Sequence, residues 1–306
     1  MPSLQQLRYL TLISETLHFR RAAERAHVTQ PTLSAQLAKL EDELGVQLVE
    51  RSRARVVMTP EGEEIANRAR RILGEVNEIA EIARRGQTML SGTIRVGVVQ
   101  SLGSYFLPLV IPDLHTRYPD LRLYVREGLG EDLARRLEEG SLDLLFCPLP
   151  ITGSEFAVAR LFREPLLAVT AIDHPIAQMD RVPPHRLAGE RILTLETGHR
   201  LHDQVRRISE RTGAEISLDY GATSLDTIRQ MVAMNLGISL LPALYVRSEV
   251  QPNQMVTSRP LDGPQPFRAV GMVWRERAAR GADYRELAQA IRQILRQTTP
   301  EVTVVD

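Results

Sequence analysis

A chain of 306 residues with 43% apolar residues has length for roughly two or three domains with sizeable cores, and its formal net charge of +0 excludes a generally basic nucleic-acid coat. A single cysteine, Cys147, excludes an intrachain disulfide and a thiolate zinc site; the expectation for the chain as a whole is no metal and no cofactor. The start MPSLQQLRYL lacks the charged head and apolar run of a signal peptide, and no stretch reaches the ~18 apolar residues a membrane helix needs. The expectation is a cytoplasmic protein without a membrane partner.

From Phe19 to Leu44 the pattern predicts two helices joined by a tight turn. Phe19, Ala22, Ala23 and Ala26 keep helical spacing, His27-Val28-Thr29 makes the turn, and Pro31 sits in the first turn of the second helix, where its missing N–H costs nothing. Leu33, Leu37, Leu40 and Leu44 share one face of that helix, so Thr32, Ser34, Gln36 and Lys39, the only lysine, look elsewhere. Thr29, Gln30, Thr32 and Ser34 crowd the N-terminal end, where a recognition helix meets base edges and phosphate. The plainer alternative is that Thr29 or Gln30 caps the helix and the rest is solvated surface.

The run LRYLTLISETLHFRRAAERAHVTQPTLSAQLAKLEDELGVQLVERSRARVVMTPEG resembles the winged helix-turn-helix domain of LysR-type transcriptional regulators over about the first ninety residues. The resemblance implies a first helix from Leu4 to Thr16, a recognition helix from Gln30 to Leu44, and a wing from Val49 to Thr59 that brings Arg51, Arg53 and Arg55 near the minor groove or the backbone. It implies DNA contacts from Thr29, Gln30, Pro31, Thr32, Ser34, Gln36, Lys39, Arg51 and Arg53.

After the wing, Thr59-Pro60-Glu61-Gly62 opens a helical run through Arg85, with Ile65, Ala69, Ile72, Val76, Ile79 and Ile82 on a stripe three and four residues apart. Such a narrow stripe reads as a coiled-coil seam whose cover is a helix of another subunit, or as a helix packed on its own chain. Gly86 to Gly92 breaks the periodicity as a hinge.

From Thr93 the pattern alternates strand and helix. Thr93 to Val99, Leu121 to Arg126 and Leu142 to Cys147 read as strands, with helices at Leu107 to Tyr118 and Asp132 to Glu139, a βαβαβ unit with a parallel sheet. A second unit has strands at Leu166 to Thr170, Ile192 to Leu195, Ile216 to Tyr220 and Ile238 to Pro242, with helices at His202 to Thr212 and Ser224 to Met234. Arg268 to Trp274 and Tyr284 to Arg296 return to the first unit. Two lobes follow, joined near Leu161 to Pro165 and near Pro260 to Phe267, with a ligand cleft beyond the strand ends. The expected division is 1–59 for the winged helix-turn-helix (all-α with a small wing), 60–92 for the linker helix and hinge, and 93–306 for an α/β two-lobed effector domain. Lobe I would be 93–162 with 267–306, and lobe II 163–266.

The effector region resembles the periplasmic-binding-protein-like domain of the LysR family, and within it the OxyR-like, peroxide-sensing branch, through SYFLPLVIPDLHTRYPDL, ILTLETGHRLHDQ and ATSLDTIRQMVAMNLGISLLPAL. The redox chemistry is not carried: Arg200 stands where that branch has its peroxide-reactive cysteine, and Ser209 stands where it has the disulfide partner. Ser101, Leu102, Gly128, Gly130, His199, Arg200, Asp203 and Thr223 are therefore expected around a cationic cleft for a small anion or carboxylate. Against this, Arg200 points outward or pairs with Asp203 or Glu196, and Ser101 and Ser224 act as plain helix caps. Cys147 ends an apolar strand, so it is either a buried inert thiol or a redox group. His199 and Asp203 at i, i+4 have no nucleophile or metal cluster beside them, and the chain does not read as an enzyme. The implied partners are double-stranded promoter DNA, copies of the same chain assembled as a dimer of dimers, RNA polymerase and a small-molecule effector.

Overall fold

The computed structural model describes residues 1–51, 56–84, 90–151, 153, 155–222 and 224–305. Two compact units emerge: Met1–Gln87 with Glu138–Ser141, and Thr88–Leu137 with Leu142–Asp306.

The first unit begins with α1 (Leu4–Thr16), opened by a reciprocal cap in which the Ser3 hydroxyl accepts from the Gln6 N–H while the Gln6 side chain accepts from Ser3 N–H. α2 (Phe19–Ala26) ends at His27, and α3 (Gln30–Leu44) ends at Gly45, both left-handed, at φ 56° and 68°. The short strands β1 (Val49–Arg51) and β2 (Val56–Met58) pair antiparallel. Tyr9, Leu10, Ile13, Phe19, Ala22, Leu33, Leu37, Leu40, Leu48 and Met58 form one core. Burial of each leucine contributes roughly 1.5–3 kcal/mol. Leu44 is a correction to the sequence pattern: at the last turn of α3 it is exposed rather than part of the buried stripe. Glu41 ties α3 to the wing, its carboxylate accepting from Leu48 and Val49 N–H at 2.8 and 3.1 Å. The Thr59 hydroxyl accepts from Gly62 N–H at 2.9 Å and starts α4 (Pro60–Arg84). Gly62 is required there, because a Cβ would stand 2.0 Å from the Leu48 carbonyl oxygen.

The second unit opens with β3 (Gly92–Val99), α5 (Gly103–Arg117), β4 (Leu121–Gly128), α6 (Gly130–Glu138) and β5 (Leu144–Pro148), with β3 parallel to both β4 and β5. β6 (Phe156–Ala171) follows, then β7 (Arg191–Leu195), α7 (Arg200–Thr212), β8 (Glu215–Ala222), α8 (Leu225–Ala233), β9 (Ser239–Pro242) and α9 (Ala243–Tyr245). β10 (Val256–Arg259), β11 (Phe267–Arg275), α10 (Gly281–Thr298) and β12 (Thr303–Val304) complete it. The main sheet runs β10-β6-β11-β5-β3-β4, and β9 and β12 also pair with β6; β7 and β8 form a small parallel sheet. Two buried cores mark the two lobes, one around Phe106, Phe146, Phe162 and Ile291, the other around Leu193, Val205, Ile228 and Tyr245.

The βαβαβ unit is parallel as expected, and the sheet it belongs to is mixed, since β11 runs antiparallel to both β5 and β6. The crossing near Leu161 to Pro165 is the middle of the 16-residue β6. Its first part pairs with β11 and its last part with β9 and β10, so one strand serves both lobes. Helix α5 starts four residues earlier than the apolar spacing suggested, at Gly103. No helix among the described residues is long and apolar enough to cross a membrane.

Candidate functional sites: a polar helix end and an inter-lobe cleft

On α3, burial of Leu33, Leu37 and Leu40 turns Gln30, Pro31, Thr32 and Lys39 to solvent, with Ser34 and Gln36 half-buried at the margin. Thr29 caps the helix: its hydroxyl accepts from Thr32 N–H at 3.4 Å and lies 2.8 Å from the Thr32 hydroxyl. Thr29 is thus held by its own helix, while Gln30 projects free at the positive end of the helix dipole. Arg51 ends β1; its side chain, with Arg53 and Arg55, lies outside the described residues.

The second site is a cleft of about 370 Å³ between the lobes. Ser101, Gly128, Gly130 and Cys147 contribute from lobe I, and His199, Arg200 and Asp203 from lobe II. The reason is local. β3, β4 and β5 end at this edge, so the residues that follow them, Ser101 and Gly130, meet there with Cys147. Arg200 is the first residue of α7, whose cap residue His199 supplies no side-chain bond to the helix, so the free N–H groups and the guanidinium come together. His202 fixes this end, its Nδ1 lying 2.8 Å from the Leu195 carbonyl oxygen. Burial, the larger cause, lowers the His199 pKa, opposed by the Glu196 carboxylate, so its ring favours the neutral form. Arg200 is exposed and has no hydrogen-bond or ion-pair partner among the described residues; the alternative pairings with Asp203 or Glu196 do not form. The lining also holds Glu131, so two carboxylates face one guanidinium.

Leu102 and Ser101 differ from the expectation of direct effector contacts. Leu102 is fully buried in the lobe I core and does not line the cleft, because the chain turns inward after Ser101. Ser101 lines the cleft but is engaged: its hydroxyl accepts from Arg268 Nη1 at 3.0 Å and its carbonyl from Nη2 at 2.9 Å. Ser224 is a helix cap, accepting from Thr227 N–H. Thr223 lies outside the described residues. Cys147 is buried, and that burial pushes its thiol up to about 12 against the opposing pull of Arg200.

Sequence reasoning missed Glu131, Ile151 and the residues behind Ser101. Arg268 donates from Nε to Glu164 at 2.6 Å, and the other Glu164 oxygen accepts from Leu244 N–H at 2.7 Å. The available signal was Glu164 and Arg268, charged residues inside the strand-like apolar runs LFREPLLAV and FRAVGMVW.

Residues 4–63 match the family model described as bacterial regulatory helix-turn-helix protein, lysR family, and residues 87–296 match LysR substrate binding domain. The chain is 42% identical over 291 residues to the DNA-binding transcriptional dual regulator OxyR of Escherichia coli (strain K12), covering 95% of each. It is 35% identical over 289 residues to the hydrogen peroxide-inducible genes activator of Haemophilus influenzae, covering 94% of this chain and 96% of the relative. A full-length OxyR from Pseudomonas aeruginosa with a cysteine replaced by aspartate is similar with a TM-score of 0.78 at 36% identity, over 95% of this chain and 98% of that one. A peroxide-bound cysteine-to-serine variant of Corynebacterium glutamicum OxyR is similar with a TM-score of 0.68 at 29% identity, over 98% and 95%.

Proposed function

Because this chain belongs to the LysR family and is a DNA-binding transcriptional regulator, we propose that Gln30, Thr32 and Ser34 read base edges while Lys39, Arg51 and Arg53 hold phosphate or the minor groove. Thr29, Pro31 and Gln36 shape and flank that surface. With net charge +0 on the whole chain, affinity comes from presenting two such units at once. Pairing through α4 supplies the dimer, two dimers form the tetramer, and the assembly acts on RNA polymerase at promoters.

The cleft binds a small carboxylate-bearing effector seated on Arg200 and the N-terminus of α7. The unpaired Arg200 guanidinium in a 370 Å³ cleft carries this reading. Glu131 and Asp203 on the same lining favour an effector that also carries an ammonium or hydroxyl donor. An effector acts only through its preference for one arrangement of the lobes over another.

The relatives named hydrogen peroxide-inducible genes activators bring a second reading, in which peroxide oxidises Cys147 to a sulfenic acid with release of water. That step needs a thiolate, and a thiol pushed up to about 12 stays protonated at neutral pH.

Footprinting on the chain's own promoter, with hydrogen peroxide or with a panel of small carboxylates and amino acids, decides between them. Gln30→Ala is expected to relax sequence preference, whereas Arg51→Ala weakens binding to all DNA. A carboxylate-dependent shift lost in Arg200→Ala supports the anion reading. A peroxide-dependent shift lost in Cys147→Ser replaces it with the redox one.

A further inference from the structure

A groove of about 550 Å³ lined by β6, β11 and residues 149–151 is distinct from both sites. β6 contributes Val158, Arg160 and Arg163, β11 contributes Phe267, and Leu149 closes one wall. In a regular strand, residues three apart point to opposite faces. β6 departs from this rule: Phe162 opposes Val270 while Arg160 opposes Gly271, so Leu161 is an extra residue on one strand. That bulge turns Arg160 and Arg163 toward the same groove. Gly271 makes the wall possible, since a Cβ there would lie 2.8 Å from Leu149 Cδ1.

The electrostatics are one-sided. Among the described residues neither guanidinium has a carboxylate partner and no acidic side chain lines the groove. The Arg163 guanidinium sits over the Phe267 ring, 4.8 Å from its centroid, which holds the charge against the apolar floor. Two guanidinia beside Val158, Leu149 and Phe267 match a ligand with an anionic head and an apolar body.

We propose that this groove binds a small amphipathic monocarboxylate, its head between Arg160 and Arg163 and its apolar part along Val158, Leu149 and Phe267. The site does not rest on the reading of the cleft. It adjoins the cleft nonetheless, because Ile151 lines both, so an occupant of the groove bears directly on the cleft wall.

Equilibrium dialysis of the full chain with labelled octanoate tests the proposal. Saturable binding is expected in wild type, with acetate and 1-octanol competing at least about tenfold more weakly because each supplies half of the ligand. Arg160→Gln with Arg163→Gln weakens octanoate binding about tenfold or more, as loss of charge-assisted bonds to a carboxylate requires. Both side chains are exposed, so the fold is retained, with circular dichroism as the check. Val158→Trp, which fills the groove, abolishes binding independently of the two charges. Absence of saturable binding in wild type, equal binding by the double variant, or retained binding in Val158→Trp overturns the assignment.

Discussion

Arg268 and Glu164 are 1% and 0% exposed, and each is fully engaged: the carboxylate takes one bond from Arg268 and one from Leu244 N–H, and the guanidinium takes both Ser101 oxygens. A buried charge tolerates its site only while its partner is present. Arg268→Met is therefore expected to cost about 3–5 kcal/mol of effector-domain stability in urea unfolding, because it strands the Glu164 charge. Adding Glu164→Leu restores much of that loss, since two apolar side chains need no compensation. An unchanged urea midpoint in Arg268→Met would contradict the role given to the pair. The same network explains why Ser101 was legible as a cleft residue but not as an engaged one. A sequence tells that a serine follows a strand; it does not tell that an arginine more than 160 positions later occupies its oxygens.

Among the elements, legibility followed how local the determinants are. The start of α3 was readable because Thr29 and Pro31 are signals within the helix's own first turn, whereas its end at Leu44 came from the family resemblance. β6 was read only in its last part, as Leu166 to Thr170: Arg160, Arg163, Glu164 and Pro165 break the apolar alternation before it, and its partner β11 lies about a hundred residues downstream. α4 was readable as a stripe, and the structure adds how little one chain covers it: Ile72 is 43% exposed and Ile79 66%, whereas Ala69 is buried. A helix of 25 residues spans roughly 37 Å, enough to present that stripe to a second copy. Ile79→Asp places a charge on the seam, and sedimentation is expected to show the assembly falling to smaller species with weakened binding to paired half-sites. An unchanged sedimentation profile would return α4 to the status of a helix serving its own chain.

For the two-lobed unit as a whole, the angle between the lobes depends on how firmly they hold each other. Tyr105 of α5 packs against both lobe cores, meets the Tyr245 ring edge-on at 4.9 Å, and donates its hydroxyl to Asp226 at 3.2 Å. Tyr245 donates to the other Asp226 oxygen at 3.1 Å, so one carboxylate of lobe II gathers a phenol from each lobe. β6 and β11 cross between the lobes as paired strands, which resist bending more than free linkers do, and this triad adds a second attachment away from them. Closing or opening the cleft must then break or slide the Tyr105 contact. Tyr105→Leu removes both the ring contact and the hydroxyl bond while leaving the paired strands intact, a loss of order 1–2 kcal/mol. Native-state hydrogen exchange is the measurement that separates the consequences: amides of β9 in lobe II should exchange faster while those of β5 in lobe I keep their protection. Equal acceleration of both strands would mean that the lobes unfold as one body. No change in either would mean that the crossing strands alone set the angle between the lobes.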